Sequence, residues 1–155
     1  MASETTEALR AFYETYAAEL FAYAVSITFN EADAEDAVHD AFSAVLGAGS
    51  LPRELRPYVF RCVRNAAIDG RRTAARELQK CSIFSDDPDN GPVRVQVDEV
   101  LSLMSEEERE CVVLKTYGGL TFRETAQVLG EPPGTVAARY WRALARVREK
   151  MEVTS

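Results

Sequence analysis

Apolar residues recur at three- and four-residue spacing in successive blocks of this chain, and no block alternates with the period of two that a half-buried strand requires. Leu9, Phe12, Tyr13, Tyr16, Leu20, Tyr23, Ala24 and Ile27 predict an amphipathic helix over roughly 5–29, with Asn30 as its stop. Ala34, Ala37, Val38, Ala41, Phe42 and Val45 predict a second over about 32–46. Its opening acids Asp33, Glu35 and Asp36 suit the positive end of a helix dipole. Gly47, Gly49, Ser50 and Pro52 form a loop. A third helix is expected near Pro57, a good first-turn residue because it needs no N–H there. Tyr58, Val59, Cys62, Val63, Ala66 and Ile68 are its apolar positions.

The pattern breaks at 82–92, SIFSDDPDNGP, a polar and turn-forming run. It then resumes in shorter pieces. Val97, Val100, Leu101 and Met104 suggest a short helix. Ser105 with Glu108 three residues on predicts a capping box for the next, which Gly118-Gly119 ends. Thr121 with Glu124 predicts another capping box, and Gly130 a positive-φ stop. From Pro133 a last helix carries Val136, Tyr140, Ala143, Leu144 and Val147 as its stripe. Leu120 to Arg146 thus has the layout of a helix-turn-helix, a motif that duplex readers share with ordinary αα-corners. The fold class expected is all-α: two small helical domains, 1–79 and 97–155, joined by a flexible linker over 80–96.

Charge sharpens this division. The chain of 155 residues carries a formal net charge of −7, which argues against a simple nucleic-acid coat. The charge is unevenly placed. Seven arginines and two acids lie between Arg53 and Arg76, and four arginines and a lysine face one acid between Arg139 and Lys150. Five acids and no cation lie between Glu31 and Asp40, and six acids with only Arg109 between Asp98 and Glu110. Two basic and two acidic blocks point to two kinds of partner surface. The basic third helix, with Asn65 beside Arg64, suits a phosphate backbone and a base edge. The acidic second helix suits a basic partner.

Enzyme chemistry finds little support. The three cysteines, Cys62, Cys81 and Cys111, are far apart and form no CxxC pair. Asp36, His39 and Asp40 share a helical face, but a lone His makes a poor transition-metal site. No phosphate loop or nucleophile elbow is present. No metal or cofactor is expected. No apolar run approaches the ~20 residues that span a bilayer. The N-terminal residues lack the regions of a signal peptide, so a cytoplasmic location is expected.

Specific residues then resemble a family. Phe12-Tyr13-Glu14-x-Tyr16, Phe21-x-Tyr23-Ala24, Ala32 through Phe42, and Pro57 through Asp69 resemble the second conserved region of bacterial sigma factors. Leu103 through Leu114 and the helix-turn-helix resemble the fourth. With no room for an intervening third domain, the layout resembles the extracytoplasmic-function (ECF) group of the sigma-70 family. The resemblance implies a non-enzymatic subunit that binds core RNA polymerase and promoter DNA and is often held by an anti-sigma protein, with no small-molecule substrate. By resemblance, Asp33, Glu35, Asp36, His39 and Asp40 dock the polymerase. Tyr58, Arg61, Arg64, Asn65, Arg71 and Arg72 melt and read the minus-ten element. Arg123, Pro133, Thr135, Arg139, Tyr140, Arg142 and Arg146 serve the minus-thirty-five element.

The chain departs from the family pattern at four places. Tyr58 stands where Trp is usual, His39 where Gln is, Ala137 and Ala138 where Lys and Ser are common, and Pro132-Pro133 where a Ser cap is. The lost Lys removes a phosphate contact from the upstream reader. Two other readings are compatible with the residues alone: a stand-alone helix-turn-helix regulator, and a sigma-like protein-interaction module with weakened DNA reading.

Overall fold

The computed structural model describes residues 2–74 and 99–154, with side chains over 4–71 and 99–152. The expected linker, with Cys81, lies outside the described residues. The elements are α1 (Ala2–Thr28), α2 (Glu31–Gly47), α3 (Leu55–Ala74), a helical turn over 99–102, α4 (Glu106–Val112), a π-helical turn (Val113–Tyr117), α5 (Phe122–Leu129) and α6 (Pro133–Thr154). All described secondary structure is helical, as the periodicity predicts.

The α1–α2 corner is made by two adjacent residues. Phe29 takes φ 56°, a left-handed conformation unusual for an aromatic residue. Asn30, expected as a stop, instead caps the following helix: its Oδ1 accepts from the Asp33 amide at 3.0 Å. The helices so turned pack α1, α2 and α3 against one another around Leu20, Tyr23, Val45, Val59, Phe60 and Val63, all fully buried. Each such apolar side chain contributes about 1.5–3 kcal/mol relative to exposure. Tyr13 departs from the expected inward stripe. It is 48% exposed, its ring meeting Phe42 edge-on at 5.2 Å. Helix α3 begins two residues before Pro57, which sits in the first turn where its missing N–H leaves no bond unmade.

In the C-terminal half both capping boxes form as the spacing predicts, Ser105 with Glu108 and Thr121 with Glu124. Gly130 stops α5 at φ 69°. The π turn after α4 is absent from the periodicity. The extra residue in its turn lets the Gly118 amide donate to the Val113 carbonyl at 2.9 Å and the Leu120 amide to that of Leu114 at 3.1 Å. This folds Leu114 and Leu120 inward, where both are fully buried.

That inward turn joins the two halves. Val113, Leu114, Leu120 and Val128 belong to the same apolar cluster as Tyr23, Val59, Phe60 and Val63. Helix α1 packs on α4 and the π turn, and α3 packs on α5. Two smaller clusters complete the C-terminal half. Met104, Val112 and Ala143 form one, and Cys111, Ala126 and Val136 the other.

The π turn dictates a glycine. A Cβ at Gly118 lies 2.8 Å from the Leu114 carbonyl oxygen, which is backbone and cannot swing away. Gly118→Ala is therefore expected to destabilise the chain by about 1–3 kcal/mol, the range for forced overpacking. Gly134→Ala, where nothing lies within 4 Å, is expected to leave stability unchanged or slightly raised. Chemical denaturation of the two variants beside the parent chain checks both.

Candidate nucleic-acid interface

Helix α2 buries Ala34, Ala37, Val38, Ala41 and Val45. Its 3.6-residue period then turns Glu35, Asp36, His39 and Asp40 outward, all exposed, with Asp33 half-buried. Beside this acidic face runs a groove of about 820 Å³ between α1 and α2. Leu9, Tyr13, Phe21, Val38, Phe42 and Leu46 supply its apolar walls, while Glu35, Asp36 and His39 stand at one side and Arg10 at the other. An apolar groove with an acidic rim suits an amphipathic helix bearing cations.

Helix α3 presents two polar faces, and the sequence-predicted residues divide between them. Tyr58, Arg61 and Asn65, spaced three and four residues apart, are exposed on one face. The side chain of Arg72 lies outside the described residues. Arg64 and Arg71 fall on the other face together with Arg56, and this face looks onto the C-terminal half. Phe60 is fully buried and unavailable to stack on a base.

On that second face each arginine meets a carboxylate. Arg56 Nε donates to Glu124 Oε2 at 2.9 Å and its Nη2 donates to Glu124 Oε1, a bidentate pair. Arg64 Nε donates to Glu110 Oε1 at 2.8 Å and its Nη2 to Oε2 at 3.4 Å. Arg71 Nη2 donates to Glu106 Oε1 at 2.8 Å. The Tyr23 hydroxyl, at the centre of the core, donates to Glu110 Oε1 at 2.7 Å. One further cation, Arg109, lies over the Phe29 ring at 5.1 Å from its centroid, and Arg71 lies over the same ring at 5.9 Å.

These partners shift the proton affinities. The hydrogen bonds from Arg56 hold the Glu124 carboxyl below the usual range, although its burial works the other way. Burial pushes the Glu108 carboxyl up, but the Ser105 amide and Arg146 outweigh it and leave it lowered. Burial and the neighbouring Glu110 carboxylate raise the Tyr23 phenol. Burial pushes the Cys111 thiol up to about 11, which makes it a core residue at neutral pH.

The helix-turn-helix also separates its residues. Pro133, Thr135 and Arg142 are exposed on α6, and Arg123 at the start of α5 is 76% exposed in its side chain, 3.5 Å from Glu54. Arg139 is paired with Glu131. Arg146 donates to Glu108 at 2.6 Å and to the Leu103 carbonyl at 3.2 Å. Tyr140 is half-buried against Met104, Val112 and Ala143. Arg142 has no carboxylate partner among the described residues. Trp141 was not among the sequence-predicted residues. It is 59% exposed, with its ring 6.3 Å from Phe122 and 5.0 Å from Tyr140. Its place off the α6 apolar stripe is the signal that marks it. Glu106, Glu110, Glu124 and Arg56 were also missed as a set, since only tertiary packing brings them together.

No group of three or more metal-ligating side chains is present among the described residues, and none of their helices is long and apolar enough to cross a membrane.

Residues 12–77 match the family profile described as Sigma-70 region 2, and residues 94–147 that described as Sigma-70, region 4. The chain is 29% identical to the ECF RNA polymerase sigma factor SigL of Mycobacterium tuberculosis, over 90% of this chain and 86% of that one. It is 32% identical to the ECF RNA polymerase sigma factor ShbA of Streptomyces griseus, over 76% of this chain and 71% of that one. The solved structure of CnrH in complex with the cytosolic domain of CnrY superposes with a TM-score of 0.75 at 26% identity, covering 99% of this chain and 94% of CnrH.

The lowered carboxyls fix the sign of an acid response. A folded-state pKa below the unfolded one adds stability that is present above the ordinary glutamate value of 4.5 and is lost as pH falls toward the lowered one. The thermal midpoint is expected to hold near neutrality and decline below about pH 4.5. Glu124→Gln keeps the cap but removes the carboxylate. It is expected to cost about 1–3 kcal/mol at neutral pH and to flatten the acid decline, read from thermal melts between about pH 3 and about pH 7.

Proposed function

The chain belongs to the ECF group of the sigma-70 family of RNA polymerase sigma factors, and we propose that it binds core RNA polymerase and directs it to promoters, where it melts and reads the DNA. The observation that carries this reading is the outer face of α3, where Tyr58, Arg61 and Asn65 stand exposed in one row. Melting requires a captured, unstacked base, which costs a few kcal/mol. An aromatic ring, a cation for the backbone and an amide for a base edge are the groups that offset that cost.

The remaining surfaces fit the same activity. The acidic face of α2 and its groove take a cation-bearing helix of the core enzyme, with the carboxylates at the rim setting orientation and association rate. In the helix-turn-helix, Pro133 and Thr135 lie at the start of α6, the end that meets base edges in this motif, and Arg142 anchors to phosphate. Arg139 and Arg146 act differently: their carboxylate partners make them supports for the angle of α6. Tyr140 is a packing residue. Ala137 and Ala138 leave the upstream contact with fewer cations, so the minus-ten grip carries the larger share of DNA affinity. An anti-sigma protein is a further proposed partner; the neighbour CnrH is in complex with the cytosolic domain of CnrY. The site of action is the cytoplasm.

Reconstitution with bacterial core polymerase, followed by sequencing of RNA 5′ ends made on genomic fragments, tests the reading. Defined start sites are expected, and failure of the chain to co-migrate with core polymerase sinks it. Arg61→Ala combined with Asn65→Ala is expected to lower initiation at least roughly tenfold while leaving co-migration intact, since each good base contact is worth about 1–3 kcal/mol.

Arg142→Ala is expected to weaken duplex binding alike for all sequences and to reduce the slope of log affinity against log salt by about one. Arg139→Ala is expected to lower thermal stability and leave that slope unchanged. Binding isotherms at several salt concentrations distinguish the two arginines.

A further inference from the structure

The chain contains a single histidine, and it stands in the acidic face of α2. Glu35 and Asp36 lie one turn before His39 on the same side of the helix, and Asp40 follows it. All four side chains are exposed, and His39 makes no hydrogen bond or ion pair among the described residues. Its ring lines the groove between α1 and α2, where Arg10 and Tyr13 face it from the α1 wall. Helix α3, the other element packed on α2, supplies no residue to this groove. The one imidazole of the chain therefore sits on the rim where a cation-bearing helix of the core enzyme would dock.

The two protonation states of the ring present different surfaces. A neutral imidazole offers one donor and one acceptor and leaves the rim its carboxylate charge. A protonated ring offers two donors, no acceptor and a positive charge. Histidine makes this change between about pH 5 and about pH 8. We propose that His39 makes docking on the core enzyme pH-dependent: the neutral ring is accepted in the interface and the charged ring is repelled by the partner's cations, so acidification withdraws the chain from polymerase. The inference rests on the core-docking reading of this face and adds its regulation. Glu35, Asp36 and Asp40 adjoin the ring whether or not the partner is bound, so the difference between the two states comes from the partner. Its cations oppose the charge on the ring in the complex and are absent from the free chain, and like charges brought together in an interface are costly. The complex therefore holds fewer protons than its separated parts, and by linkage its affinity falls as pH falls.

The test compares three full-length chains: the parent, His39→Gln and His39→Lys. Gln keeps a donor and an acceptor and cannot take up the proton, whereas Lys carries a charge throughout. Position 39 is exposed on a helix, so both substitutions spare the core. Each dye-labelled chain is titrated with bacterial core polymerase at about pH 7.5 and about pH 6, on either side of the histidine change, and its affinity is read by fluorescence anisotropy. Both values lie above the range in which the Glu108 and Glu124 carboxylates take up protons, so the chain is folded alike at each. The quantity compared is the ratio of the two affinities for each chain, which removes any titration belonging to the polymerase.

The parent is expected to lose about threefold or more in affinity from the higher pH to the lower, beyond any loss that His39→Gln shows. His39→Lys is expected to bind more weakly than His39→Gln at both values. A parent whose affinity does not fall, a His39→Gln chain that falls as far as the parent, or a His39→Lys chain that binds as tightly as His39→Gln each overturns the proposal. Absence of any binding by the parent at the higher pH instead marks failure of the core-docking reading itself, and the proposal falls with it.

Discussion

The Glu110 carboxylate is shared by two donors from different helices of the other half of the molecule. Tyr23 reaches it from the centre of the α1 core and Arg64 reaches it from α3. A buried phenol without an acceptor is costly, and so is a half-buried guanidinium without an anion. One carboxylate meets both needs, and it does so only while α4 is docked on α1. The arrangement of the rest follows. With α4 in place, the π turn carries Leu114 and Leu120 into the apolar cluster of the N-terminal helices, and α5 is brought against α3 where Glu124 meets Arg56.

This coupling gives single residues double duties. Glu124 closes the capping box that starts the helix-turn-helix, and the same carboxylate takes the Arg56 guanidinium. Glu108 caps α4 and pairs with Arg146, which fixes α6. The framework of the DNA-reading motif is therefore tied by its own caps to the surfaces around it. Pro133, Thr135, Trp141 and Arg142 on α6 and Tyr58, Arg61 and Asn65 on α3 are exposed, with no carboxylate holding them among the described residues. Arg61 and Arg142 have the same chemistry as Arg64 and Arg139, and what separates them is whether a carboxylate lies within reach.

Much of the fold was legible because it is local. Hydrophobic period marked every helix, and the spacings Ser105 to Glu108 and Thr121 to Glu124 marked two starts, since a capping box is made by residues three apart. Gly130 marked a stop for the same reason. The outward face of α2 followed from period alone. Tyr13 misled because its place on the α1 stripe says nothing of how far the neighbouring helix extends to cover it. The π turn was invisible because one inserted residue does not disturb a pattern only a turn long.

The sequence by itself determined the helices, their caps, the placing of acidic and basic blocks, and a resemblance that the family comparisons bear out. Those depend on neighbours within about a turn of helix, and on order along the chain. Only the tertiary structure decided which arginines are open. Arg61 and Arg64 are three residues apart and alike in composition, yet one is exposed and the other is clasped by Glu110, forty-six positions away. Burial and charge pairing are properties of distance in space, and the packing of α4 against α1 sets that distance.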